Sequence, residues 1–168
     1  MAITIKLLEA NDIPDLADAF LNTVWKTPAS HFERMLAAQI KGEIVFLVAH
    51  AEHAIAGFVF IKWQADYPPF AEQSIPEIRD LRVLAEFRRR GIATALMDEA
   101  EKRIFQRSKQ AGLGVGLYAD YGPAQRMYIL RGYIPDGHGL MYNNHPVSPG
   151  HDIFVDDALT LFFVKERK

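Results

Sequence analysis

The sequence predicts an α/β fold, α+β in some schemes, with helices packed against a mixed sheet. Three observations predict it. Apolar runs of strand type and stretches of helical period follow one another in the order strand, helices, several strands, helix, strand, helix, strand. With 168 residues, 49% of them hydrophobic, the chain has the material for one ordinary core, so residues 1–168 read as a single domain. No repeat, low-complexity tract or linker interrupts it.

Ile3–Leu8 reads as a first strand, and Ile13–Leu21 has apolar residues at helical spacing behind Asn11-Asp12, a cap. Ser30 followed three residues later by Glu33 has the form of a capping box, so a second helix is expected to about Lys41, with Gly42 ending it. Ile44–His50 and Ile55–Trp63 are apolar, β-branched and aromatic runs separated by Glu52-His53, the pattern of two antiparallel strands with a tight connection. Ala65–Ser74, with Pro68-Pro69, reads as a loop. Glu77–Val83 reads as a strand, although Arg79 and Arg82 rule out burial on both faces along its whole length. Ile92, Leu96, Ala100 and Ile104 recur at helical spacing and predict a helix from Ile92 to about Lys109, closed by Gly112. Val115–Tyr118 reads as a short strand, and Pro123 opens a helix that ends at Gly132. Tyr133–Asp157, rich in Gly, Pro, Asn and His, has no assignable period, and Leu159–Val164 is the last strand.

Nineteen basic and twenty-one acidic residues give a net charge of −2, which offers no footprint for nucleic acid or an anionic membrane. Neither partner is expected. No apolar run reaches bilayer length, and the N-terminus lacks a basic flank followed by an apolar signal region, so a cytoplasmic protein is expected. Without cysteine the chain has no thiol chemistry of its own. His138, His145, His151 and Asp152 lack metal-ligand spacing, and no metal site is expected.

Against this near-neutral background the cluster Arg88-Arg89-Arg90-Gly91 needs a local reason. It joins a strand ending at Val83 to a helix opening at Ile92. The first amides of a helix have no intrahelical acceptor, and aligned peptide dipoles leave about half a positive charge there. Phosphate oxygens satisfy both deficits. Gly91 permits close backbone approach, the small Ala93 permits it nearly as well, and Arg88 or Arg89 supplies a planar fork of donors. The stretch has the make-up of a diphosphate cradle.

Arg88-x-x-Gly91-x-Ala93, placed after Asp80-Leu81-Arg82-Val83, resembles the acyl-CoA-binding signature of the GNAT N-acetyltransferase superfamily, Arg/Gln-x-x-Gly-x-Gly/Ala. Downstream, Ala124-Gln125-Arg126-Met127-Tyr128-Ile129-Leu130-Arg131-Gly132-Tyr133 is similar to that family's Ala-x-x-x-Tyr-x-x-x-Gly-Phe/Tyr segment. The resemblance covers Glu77–Tyr133. It implies a mainly antiparallel, twisted sheet of six or seven strands flanked by about four helices. It further implies acetyl-CoA as cosubstrate and acetyl transfer to a primary amine by direct attack, without a covalent enzyme intermediate.

The cosubstrate-binding positions that the resemblance implies are the strand backbone at Leu81, Arg82 and Val83, whose amides would polarise the thioester carbonyl, the turn and helix start at Arg88, Arg89, Gly91, Ile92, Ala93 and Thr94, and Ala124, whose small side chain leaves room for the thioester arm. In the family the pantetheine arm lies between two splayed strands, here the one through Val83 and the one holding Val115 and Leu117, and Gly116 fits such a splay. Tyr128, one helical turn after Ala124, is the implied general acid for the departing thiolate.

A thiol pKa near ~8.5 makes that thiolate a fair leaving group, so the amine's proton is the larger problem. Deprotonating an amine of pKa about 10.4 at pH 7 costs roughly 4–5 kcal/mol. Glu77 and Asp80 are the candidates, directly or through water; strand alternation places Glu77 with Arg79 and Leu81, and Asp80 with Ile78 and Arg82. A family member that acetylates polyamines has a Glu-Asp pair where this chain has Arg79-Asp80. Glu77 is the expected base and Asp80 the expected structural group, while ion pairing of either with Arg79 or Arg82 stays equally open.

The acceptor is set by the loops Thr23–Ser30, Ala65–Ser74 and Tyr133–Asp157. Trp25, Trp63, Tyr67 and Phe70 serve a pocket or the core, and Asp136, Asp156 and Asp157 either attract a cationic amine or form a wet acidic loop. A non-catalytic CoA-binding regulatory domain is the alternative function. Dimers are common among the family, and the oligomeric state is not legible here.

Overall fold

The computed structural model describes residues 2–168. In chain order the elements are β1 (Ile3–Leu7), α1 (Ile13–Leu21), α2 (Ala29–Ile40), β2 (Ile44–Ala51), β3 (Ala54–Lys62), α3 (Pro68–Glu72), β4 (Glu77–Val83), α4 (Ile92–Phe105), β5 (Gln110–Gly116), α5 (Gly122–Leu130), β6 (Ile134–Tyr142), β7 (His145–Pro146) and β8 (Leu159–Glu166). The strand order in the sheet is β1-β2-β3-β4-β5-β8-β6-β7. Eight strands exceed the expected six or seven because Tyr133–Asp157 supplies both β6 and the two-residue β7. Among the described residues no helix is long and apolar enough to cross a membrane.

The chain divides into two compact units. One runs through Lys62 and resumes over Ile78–Arg103. Here β2 pairs antiparallel with both β1 and β3, and its almost continuous burial explains the unbroken apolar run in its sequence. Glu52 and His53 both have positive φ, the geometry of a tight hairpin turn. Behind the strands, Phe20 and Phe32 of the helices meet Phe46 and Phe58 of the sheet in a fully buried ring cluster. The Gln39 side chain fastens α2, its Nε2 donating to the Leu8 carbonyl and its Oε1 accepting from the Phe46 amide, both at 2.9 Å.

The other unit comprises Trp63–Glu77 and Ile104–Lys168. In it β8 pairs antiparallel with β5 on one side and β6 on the other. Tyr67 stacks on Phe162 at 3.6 Å between ring centroids and Phe70 meets both edge-on, which anchors α3.

Several elements depart from the sequence expectation. Asp12 holds the N-cap position of α1, but its side chain makes no bond to that helix; it ends a 3-10 turn and its carboxylate accepts from the Glu9 amide at 2.8 Å. The Ser30–Glu33 box does not form, because α2 begins at Ala29 behind Pro28 and Ser30 already lies inside the helix. Ala65–Ser74 contains a helix opened by its two prolines, whose fixed φ suits a first turn. Gly112 does not close α4, which ends at Phe105; it sits inside β5, where a Cβ would lie 2.3 Å from the buried Phe70 ring.

Candidate active site

The Arg88–Gly91 turn follows a 3-10 turn over Ala85–Phe87 and leads straight into α4. Arg89 has φ +55° and Gly91 φ +84°, so the chain reverses twice through the left-handed region, which glycine adopts without steric cost. The Gly91 carbonyl accepts the Ala95 amide at 2.9 Å as the first bond of the helix. The amides of Ile92, Ala93 and Thr94 therefore precede the first intrahelical donor and face outward along the helix axis. A Cβ on Gly91 would meet only the tip of Ile3, at 3.8 Å, so this side of the turn is open. Arg88, Arg89 and Arg90 are exposed; Arg88 Nε donates to the Val83 carbonyl at 3.3 Å, and Arg90 lies over the Phe87 ring at 5.9 Å. An anion with several oxygens, such as a diphosphate, fits this combination of unsatisfied amides, helix dipole and guanidinium. Ile92 is buried and anchors the helix start, Ala93 is half-buried and Thr94 exposed.

The same unit fixes the strand before the turn. Leu81, Arg82 and Val83 are half-buried, and the Leu84 amide donates to the Ala56 carbonyl at 3.0 Å. β3 can approach this closely because Gly57 has no side chain; a Cβ there would fall 2.4 Å from the Arg82 carbonyl oxygen. Asp80 has φ +53° in mid-strand, which interrupts the regular pleat and the simple alternation expected for β4. Its carboxylate pairs with Arg82 at 3.3 Å, and Arg82 also donates to Thr27 Oγ1 at 2.9 Å while lying over Trp25 and Phe58. His31, which the sequence did not single out, adjoins this group. Its Nε2 is buried without a hydrogen-bond partner, and burial lowers its pKa, Asp80 opposing and the guanidinia of Arg82 and Arg34 adding to the effect.

In the second unit, Gln125 Nε2 donates to the Gly116 carbonyl at 2.8 Å and ties α5 to the end of β5. Gly116 is required there, since a Cβ would sit 2.3 Å from the Tyr121 ring. Ala124 is half-buried; Tyr128, one turn later, is 7% exposed and meets Tyr133 edge-on at 6.0 Å. Burial pushes the Tyr128 phenol up to about 12, with Arg131 partly offsetting it, so the group carries its proton at neutral pH. Glu77 is 6% exposed and takes part in a polar interaction of its own.

The three loop aspartates are acceptors for phenols. Asp157 accepts from Tyr118 and, at 2.9 Å, from Tyr121; Asp156 accepts from Tyr142 at 2.8 Å; Asp136 accepts from Tyr67 at 2.7 Å. Tyr67 and Phe70 are core residues, and Trp63 carries the Arg107 guanidinium at 3.9 Å. Among the described residues, no group of three or more His, Cys, Asp or Glu is placed to hold a metal ion.

Comparison with known proteins bears on this geometry. No curated protein matches the sequence. Among solved structures, an N-acetyltransferase from Staphylococcus aureus Mu50 is similar at 16% identity and TM-score 0.71, covering 99% of each chain. Ribosomal-protein-alanine N-acetyltransferase from Brucella melitensis is similar at 18% identity and TM-score 0.71, over 98% of this chain and 99% of the other. PaiA N-acetyltransferase from Thermoplasma acidophilum, solved in complex with coenzyme A, is similar at 18% identity and TM-score 0.66, over 99% and 100%. At such identities these likenesses speak for the fold. The model of the acetyltransferase (GNAT) family matches residues 12–133, well over half of the sequence and including the Arg88–Gly91 turn and Tyr128, and the chain therefore belongs to the GNAT family of acetyltransferases.

Proposed function

We propose that the protein moves the acetyl group of acetyl-CoA onto a primary amine by direct attack of the neutral amine on the thioester. The observation that carries this reading is the Arg88–Gly91 turn, where Arg89 and Gly91 are left-handed, three exposed arginines immediately precede the leading amides of a 14-residue helix, and the face beside Gly91 is open. That face is suited to the diphosphate of coenzyme A, with Arg88 or Arg89 and the amides of Ile92, Ala93 and Thr94 as its ligands.

The backbone of Leu81–Val83 is proposed to polarise the thioester carbonyl, and the left-handed Asp80 immediately before it supports a strand whose amides leave the regular ladder. Ala124 is proposed to make room for the thioester arm. As the amine nitrogen bonds to the carbonyl carbon, the C–S bond breaks and its electron pair stays on sulfur, where Tyr128 supplies a proton. Its raised pKa keeps the phenol protonated and available as a donor at neutral pH, while transfer to a thiolate of pKa ~8.5 runs uphill by about three units, so the help it gives the leaving group is modest. No cysteine is present to carry the acetyl group in between. On β4, Glu77 is the candidate for the amine's proton.

Tyr128→Phe should lower kcat by about tenfold to a hundredfold, the lower part of the range for a general acid, because a thiolate is already a fair leaving group. The dissociation constant of acetyl-CoA, measured by calorimetry, should not move. An unaltered kcat would leave the tyrosine a packing residue against Tyr133.

The reaction itself is tested by following free CoA released from acetyl-CoA across a panel of small amines, amino acids, aminoglycosides and peptide N-termini. Release that depends on one class of amine supports transfer. Equal release with and without amines supports a regulatory CoA-binding domain instead.

A further inference from the structure

The loop between α1 and α2, expected from the sequence to shape the acceptor's surroundings, folds back over the end of α1. The Thr27 amide donates to the Phe20 carbonyl at 3.2 Å, the Thr23 hydroxyl donates to the same carbonyl at 2.7 Å, and Thr23 Oγ1 accepts from the Trp25 amide at 3.3 Å. Lys26, at φ +45°, reverses the chain between an exposed Val24 and a buried Thr27.

That buried hydroxyl meets a cation from another element. Arg82 of β4 donates from Nη1 to Thr27 Oγ1 at 2.9 Å and from Nη2 to Asp80 Oδ2 at 3.3 Å, and its guanidinium lies over Trp25 at 5.5 Å and over Phe58 at 5.6 Å. One planar fork holds a hydroxyl, a carboxylate and an indole in fixed relation, a task for which lysine is a poor substitute. Burial keeps the neighbouring His31 neutral at pH 7, so it brings no second cation to Asp80. Stability alone does not ask for this arginine. Its side chain is 20% exposed, and an ion pair largely withdrawn from water can often be exchanged for well-packed apolar groups without loss.

What the arginine adds is location. Its own backbone belongs to Leu81–Val83, the stretch proposed to polarise the thioester carbonyl, so the loop is held within one arginine side chain of the strand where transfer is proposed to occur. All the residues of this group lie in the first compact unit.

We propose that Arg82 is a positioning residue for the acceptor: through Thr27 and Trp25 its side chain latches the Thr23–Ser30 loop to β4, and the latched loop is the wall against which the amine binds. The proposal rests on the acetyl-transfer reading and adds to it the residue that sets the affinity for the amine. An unlatched loop has to be reordered by each incoming amine, so the apparent affinity falls with the fraction of molecules latched. Once the amine is bound the loop is in place, and the chemical step proceeds as before.

The test measures amine kinetics of the full chain for Thr27→Val, which keeps the branched shape and removes the oxygen that Arg82 reaches. With an amine that the wild type acetylates, the amine KM should rise about tenfold, the lower worth of one hydrogen bond to a charged group, while kcat at saturating amine and the acetyl-CoA dissociation constant change little. Arg82→Met keeps the stem and removes the donors; it should raise the amine KM at least as far, and adding Thr27→Val to it should raise KM no further, because both changes break one latch. An amine KM within about twofold of wild type in Thr27→Val, where the lost bond is expected to cost about tenfold, would overturn the assignment. So would effects of the two changes that multiply, or a lower kcat at unchanged KM, the mark of a smaller folded fraction rather than of a loosened loop. A wild-type protein that binds acetyl-CoA yet acetylates no amine in the panel would overturn the transfer reading and the latch with it, a result distinguishable because no variant is involved.

Discussion

Arg88→Glu combined with Gly91→Asp should abolish measurable coenzyme A binding while leaving the protein folded. The double change replaces a donor fork with a carboxylate and sets a second carboxylate at the mouth of the cradle, among the leading amides of α4. Each charge-assisted hydrogen bond to phosphate contributes about 1.5–3 kcal/mol, so losing two of them and adding repulsion removes more than a hundredfold in affinity. The fold has reasons to tolerate it. A Cβ on Gly91 would meet only Ile3 Cδ1, at 3.8 Å, and the φ of +84° costs a side chain about 1–2 kcal/mol, least for asparagine and aspartate. Calorimetry with coenzyme A and a thermal melt on the same sample check both halves; unchanged affinity would remove the cradle from the account.

Phe58→Ala should be the most damaging single truncation in the first unit. The Phe58 ring is fully buried and meets Phe20 at 4.9 Å, Phe46 at 5.1 Å and Phe32 at 5.6 Å between centroids. Removing a buried phenylalanine costs about 3–5 kcal/mol, transfer and cavity combined. Total stabilities are about 5–15 kcal/mol, and the loss corresponds to a thermal midpoint lower by about 10 °C for a chain of this size. The same ring lies under the Arg82 guanidinium at 5.6 Å, so the pair with Asp80 should loosen as well. Phe58→Leu keeps most of the volume and should recover most of the midpoint; an alanine variant that melts with the wild type would contradict the packing described here.

How much the sequence reveals depends on whether the informative residues are neighbours. The Glu52-His53 hairpin and the Arg88–Gly91 turn were legible because each is a contiguous stretch between two periodic runs. β5 was placed too late in the chain because Gly112 and Gly114 look like breakers on their own. In the structure, Phe70 fills the space beside Gly112, and Thr160 and Phe162 fill that beside Gly114, all of them remote in sequence. α3 was missed since two adjacent prolines read as a loop, although the first turn of a helix is where proline fits.

The burial of the Asp136 carboxylate was not legible for the same physical reason. Its anchor, Tyr67, lies 69 residues upstream of Asp136. The acidic loop residues gave a charge signal but no hint that tyrosines would cover them; a Tyr118-x-x-Tyr121 pair at the helix approach was the only local clue to the partners of Asp157. Asp80's positive φ had no sequence signal, since nothing in Arg79-Asp80-Leu81 asks for a turn.

The decisive measurement is a crystal structure of the protein with coenzyme A bound. Diphosphate oxygens within hydrogen-bonding distance of the amides that open α4, with an arginine of the preceding turn alongside, are the expected result. A coenzyme lodged elsewhere, with that turn bare of phosphate, would contradict it.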